Sequence, residues 1–195
     1  GQQSYATATL VEPIVVRVLD AFGNMVPETA VTFVATTGGG SVSPTGGDSD
    51  TNGLAQTTWT LGGLVGTHVL EAGADGTGTL SIEATAVSGP PASIAATSGG
   101  GQAAVVGTVL PTGVVVQVLD ASGNPVPGVA VALSVTSGGG SLTPSSGVTE
   151  AAGEVSTTWT LGTTAGAQTM RATVDGIASR AVSATAEPGP PSQFT

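Results

Sequence analysis

Apolar and polar residues alternate along this chain in short runs with a period of two. Ile14, Val16 and Val18 share one face of the first clear run, and Val31, Phe33 and Ala35 share one face of the next. Over 54–61, Ala55, Thr57, Trp59 and Leu61 alternate with Leu54, Gln56, Thr58 and Thr60. Leu70 and Ala72, then Ile82, Ala84 and Ala86, continue the pattern. Successive side chains of a strand point to opposite faces, so each run predicts a β-strand with one face in a core. No window carries a useful length of helical period. Turn formers separate the runs: Asp20–Asn24, Gly38–Gly40, Asp50–Gly53 and the pair Asp75, Gly76. Gly and Asn accept the positive φ that tight turns require. Short strands with turn signals every 8–12 residues or so predict a β-sandwich.

The whole pattern occurs twice, offset by 100 residues. Val15–Pro27 recurs as Val115–Pro127, Gly38–Ser41 as Gly138–Ser141, and Thr57–Gly62 as Thr157–Gly162. A period of that length suits one complete small domain rather than a solenoid repeat. The expected fold is all-β: two tandem immunoglobulin-like β-sandwiches over 1–89 and 90–188, with a tail over 189–195. In immunoglobulin lettering the first copy gives A′ near Ser4–Ala8, B near Ile14–Leu19, C near Ala30–Thr36 and a poorly defined D near Ser41–Ser43 or just after. E follows at Leu54–Leu61, F at Thr67–Ala72 and G at Thr79–Val87. The second copy adds strand A at Ala92–Ala96. The first copy opens at the equivalents of Gly101 and Gln102, so it is expected to lack its own strand A.

Composition narrows the chemistry. The chain has thirteen acidic residues, three Arg, no Lys and no Cys, for a net charge of −10. Nucleic-acid binding needs basic surface to neutralise phosphate, and this chain does not supply it. The charge also disfavours an anionic membrane face, and no stretch is long and apolar enough to span a bilayer. Without Cys there is no disulfide or thiolate site. Without Lys there is no Lys-based isopeptide cross-link.

Few residues offer catalysis or metal binding. The single His, His68, falls at the start of strand F, and the second copy has Gln168 there; a structural role is expected. Asp48, Asp50 and Asn52, followed by Gly53, resemble the front half of a calcium loop. The twelfth position of that loop is Trp59 instead of Glu, and the second copy reads Val148–Gly153 without the ligands. An Asx turn leading into strand E explains the same residues, with calcium as the candidate ion otherwise. Trp59 and Trp159 alternate in phase with inward residues and predict core packing rather than ligand stacking. No enzyme activity and no obligatory cofactor are expected.

The pattern VxVLDxxGNxVPGxxV, most specific over Asp20–Pro27 and Asp120–Gly128, then Gly38–Ser41 and the Gly-led, Thr-rich strand E, resembles the bacterial immunoglobulin-like domains repeated in invasin and intimin. The resemblance covers nearly the whole chain. It implies an extracellular, cell-surface stalk or adhesin role. No outer-membrane barrel and no lectin-like head accompany it here.

One further alignment shapes the functional expectation. Ser192, Gln193, Phe194 and Thr195 match Ala92–Ala95 of the second copy's strand A. An unfilled sheet edge leaves backbone groups unpaired and invites another strand. The tail is therefore read as a donor strand. The acceptor groove is read as Ile14, Val16 and Val18 with strand A′ residues Ser4 and Ala6. Tail-to-groove contacts are heterologous and propagate, so the expected partner is the protein itself in a head-to-tail homopolymer. The alternative is a stalk segment of a larger surface adhesin. A calcium- or carbohydrate-binding module is a third reading.

Overall fold

The computed structural model describes residues 1–193. The chain divides into two compact units, Gly1–Gly89 and Pro90–Thr195. The first is built from β1 (Gln2–Tyr5), β2 (Ile14–Arg17), β3 (Ala30–Thr37), β4 (Gly40–Ser43), β5 (Gly46–Asp48), β6 (Leu54–Leu61), β7 (Gly66–Ala74) and β8 (Thr79–Val87). The second has β9 (Ser93–Ser98), β10 (Ala103–Val105), β11 (Val114–Leu119), β12 (Ala130–Ser137), β13 (Gly140–Thr143), β14 (Ser146–Val148), β15 (Glu154–Leu161), β16 (Gly166–Thr173) and β17 (Arg180–Glu187). Among the described residues there is no helix, and so no helix long and apolar enough to cross a membrane.

Each unit is a sandwich of two sheets. In the first, a five-stranded sheet runs β1-β8-β7-β3-β5 and a three-stranded sheet runs β2-β6-β4. In the second, the five-stranded sheet runs β10-β17-β16-β12-β14, and the other has four strands, β13-β15-β11-β9. The difference is β9. Among the described residues, the first unit has no strand A beside β2.

The cores follow the alternation. Phe33, Trp59, Leu61 and Leu70 are buried in the first unit, and Leu133, Trp159, Leu161 and Met170 occupy the same places in the second. The expected strands E and G match β6 and β8 residue for residue. Strand D differs. It becomes β4, paired with β6, followed at once by β5 on the opposite sheet, paired with β3. Three-residue β5 (Gly46–Asp48) includes two glycines and has no hydrophobic alternation to reveal it.

The turns show why particular polar residues recur. Asp20 Oδ1 accepts the backbone N–H groups of Phe22 and Asn24, each at 2.8 Å, and Oδ2 accepts the Asn24 side-chain amide at 2.9 Å. Asp120 makes the same bonds with Ser122 and Asn124. Gly23 and Gly123 close the turn at φ of 85°, where a Cβ is disfavoured.

Candidate functional site

The clearest asymmetry between the two units lies along the outer edge of β2. In the second unit, β11 is sandwiched between β15 and antiparallel β9. Val118 faces Ile94, Val116 faces Ala96, and Leu119 faces Ser93. Ala92 N–H continues the ladder by donating to Leu119 O at 2.8 Å. Ile94 joins the core with Val118, Val131 and Val174. β2 has β6 on one side, and on the other no strand pairs with it among the described residues.

Exposure records the consequence. Val118 is fully buried, whereas Val18 is half-buried. Val15 is 51 % exposed and Leu19 48 %, while Val115 and Leu119 are half-buried. β2 itself ends at Arg17, two positions short of the span β11 reaches. Beside this edge lies a groove of about 260 Å³, walled by Val16, Val18, Val31, Ala72, Ala74 and Leu80. Arg17 and Thr77 join this mostly apolar lining, and Leu80 is 55 % exposed.

The residues expected to form an acceptor groove do not all gather there. Val16 and Val18 line it. Ile14 is buried on the same strand, opposite Thr57, and is not part of the lining. Ser4 lies on β1, paired in parallel with β8 in the other sheet, and Ala6 is buried in the core with its N–H bonded to Val87 O. Neither of these two lines the groove. Of the tail, Ser192 and Gln193 are exposed and form no strand. Phe194 and Thr195 lie outside the described residues.

The calcium-like loop is occupied by backbone. Asp50 Oδ1 accepts the N–H of Asn52 at 2.8 Å and of Leu54 at 2.9 Å. These bonds, Leu54's first, hold the Asp50 carboxyl below the usual carboxylate range. Asp48 sits on β5, exposed and paired with Ala30. Among the described residues no group of three or more His, Cys, Asp or Glu is arranged to hold a metal.

His68 is buried and bridges a loop. Gly62 N–H donates to Nδ1 at 3.3 Å, and Nε2 lies 2.9 Å from Leu64 O. Gln168 repeats the arrangement, with Gly162 N–H donating to Oε1 at 2.8 Å and Nε2 donating to Thr164 O at 2.9 Å. The two side chains thus hold the same loop in each unit. Both indole rings are fully buried, and neither Nε1 finds a partner among the described residues.

The bonds of two buried hydroxyl positions carry no sequence signature of their own. Ser49 Oγ donates to Val26 O at 2.8 Å and accepts Thr29 N–H at 3.1 Å; Thr149 does the same with Val126 and Val129. Thr57 and Thr157 each donate to a proline carbonyl, Pro44 and Pro144, at 2.7 Å. The signal available was a hydroxyl kept at inward positions in both copies. Buried polar groups are bonded almost without exception, so these four knit loops onto strands.

Two all-β sandwiches carrying the same buried polar bonds define an immunoglobulin-like fold. Residues 109–187 match the family model of the bacterial Ig-like domain, group 1. Domains of this kind are structural and not enzymatic. No curated protein matches the chain. Among solved structures, Yersinia pseudotuberculosis InvD aligns at a TM-score of 0.55 with 19 % identity, covering 99 % of this chain and 58 % of that one. The Escherichia coli adhesin FdeC aligns at 0.52 with 20 % identity, covering 95 % and 62 %. The D0-D1 domain of intimin aligns at 0.40 with 21 % identity, covering 94 % and 91 %. This chain thus spans less than two thirds of both InvD and FdeC.

Proposed function

We propose that this chain is a stretch of tandem immunoglobulin-like domains from a bacterial cell-surface adhesin, serving as extracellular spacer rather than as catalyst. The observation that supports it most is the repetition of one sandwich in both units, with the same turn, bridge and hydroxyl bonds at each position. Selection for a ligand site would place distinctive chemistry in one copy; the copies differ mainly at exposed positions and at the β2 edge. The likeness to FdeC, described as an adhesin, and the acidic, Lys-free surface agree with a soluble external spacer. Surface display tests it. The chain inserted between a membrane anchor and a reporter head should hold the head farther from the cell without altering its binding. Independent capture of a host glycan or protein by the two units alone would refute the spacer role.

A second reading is a head-to-tail filament in which residues 192–195 of one copy complete the first unit of the next. The open edge of β2 favours it. Negative-stain microscopy at rising protein concentration separates the two. Lengthening fibres that vanish when 192–195 are deleted support the filament, and a concentration-independent monomer supports the spacer.

A further inference from the structure

We infer that His68 is a proton-sensitive latch. In mild acid it releases the loop between β6 and β7 and loosens the first unit, while the second unit, with Gln168 in its place, holds. The latch adds to the spacer role and does not depend on it.

The bridge needs a neutral ring. Nδ1 accepts the Gly62 N–H, so it carries no hydrogen, and the hydrogen on Nε2 is donated to the Leu64 carbonyl. A proton added to this ring goes to Nδ1, and both ring nitrogens are then donors. That sets N–H against N–H at Gly62, and an attraction becomes a repulsion. Gly62 O also accepts the Thr7 N–H at 3.0 Å, so release of the loop reaches the segment that follows β1. In the second unit the same place is filled by an amide, which accepts through Oε1 and donates through Nε2. An amide gains no proton in mild acid, so its bridge does not change.

Among the described residues no carboxylate faces the ring to offset its charge. His68 is 1 % exposed, and the Gly38–Gly40 turn closes over it so tightly that a Cβ on Gly38 would collide with it. β3, β4, β6 and residues 62–65 contain no titratable side chain. Ala84 of β8 pairs with His68. Glu71 of β7 and Glu83, paired with Val69, stand at the alternate positions that face the other side of the sheet. Tyr5 of β1 is exposed. A buried cation without a partner is costly. The unfolded chain takes up the proton at about pH 6.5. The unfolded state therefore binds the proton that the folded unit resists, and stability falls as pH drops through that value.

His68 is the chain's only histidine, so its ring can be followed directly. Urea unfolding of the full chain carrying Trp159→Phe, read by Trp59 fluorescence, reports the first unit. Between about pH 7.5 and about pH 5 its folding equilibrium constant should fall at least about tenfold. His68→Gln should abolish that fall. Gln168→His, in a chain carrying Trp59→Phe and read through Trp159, should confer it on the second unit. The ring-nitrogen NMR signals should keep the neutral pattern down to about pH 5 while the first unit stays folded. Asp20 and Asp50 do not contribute over this range, because both carboxyls are held below their ordinary value and stay charged. An equilibrium constant that does not change with pH overturns the inference. So does an equal fall in the His68→Gln chain, a folded Gln168→His chain whose second unit stays insensitive, or a ring that takes its proton near pH 6.5 with the first unit intact.

Discussion

Gln168 takes the place of His68 and makes the same two bridging bonds, one from a glycine N–H and one to a carbonyl two residues farther along. The neighbouring glycine is part of the device. A Cβ on Gly38 would collide with the His68 ring, and one on Gly138 with Gln168. His68→Gln should therefore change stability by less than about 1 kcal/mol, because the acceptor and donor are conserved in position. His68→Ala strips the buried Gly62 N–H and the Leu64 carbonyl of their partner and opens a cavity, and should cost about 2–5 kcal/mol. Urea unfolding followed by Trp59 fluorescence measures both.

Each tryptophan buries a whole indole and leaves its N–H without a partner among the described residues. An unpartnered buried donor costs roughly 1–3 kcal/mol, which opposes the gain from packing the ring. Trp59→Phe should therefore destabilise the first unit by under about 2 kcal/mol, against about 3–5 kcal/mol for Trp59→Ala. Chemical denaturation of each variant, read on the first unit by circular dichroism with the second as internal standard, distinguishes the two.

Ile94 is the bulky residue of β9 and its main contribution to the second core. Ile94→Ala should lower the stability of the second unit by about 2–4 kcal/mol. The first unit has its own core, so its transition should stay in place. A two-transition denaturation curve, resolved by leaving one tryptophan at a time, shows which unit moved.

Asp20 and Asp50 cap their turns through carboxylate bonds, from Asn24 first in one case and from Leu54 first in the other, and both are held below the usual carboxylate range. A depressed carboxyl contributes stability that is complete above the unfolded value of about 3.9 and fades as pH falls through the folded value. The amide resonances of Phe22, Asn24, Asn52 and Leu54 should thus hold steady at neutral pH and shift only in acid below that value. Asp50→Ala should weaken the turn by the same margin with and without millimolar calcium, in thermal melts. A calcium-dependent stability that the variant loses would restore a metal role to Asp48, Asp50 and Asn52.

Most of the architecture was legible in the chain. Period-two alternation located β6 and β8, because each strand buries one face and exposes the other, and the inward phase of Trp59 and Trp159 followed from it. The 100-residue offset delimited the repeat, and the Asp-x-x-Gly-Asn turn announced itself through residues whose side chains bond their own backbone. The brevity of β5 hid it, since three residues rich in glycine carry no pattern. The bonds of Ser49, Thr57 and His68 were also hidden, because their partners are carbonyls and amides that every residue possesses.

By itself the sequence determined most of the strands and the duplication, both of which depend on local residue type and spacing. Only the tertiary structure decided which sheet each strand joins. It set Ser4 and Ala6 apart from the groove and placed Leu80, Ala72 and Ala74 within it. That outcome depends on pairing between residues tens of positions apart, and a periodicity along one strand contains no information about which neighbour its backbone will meet.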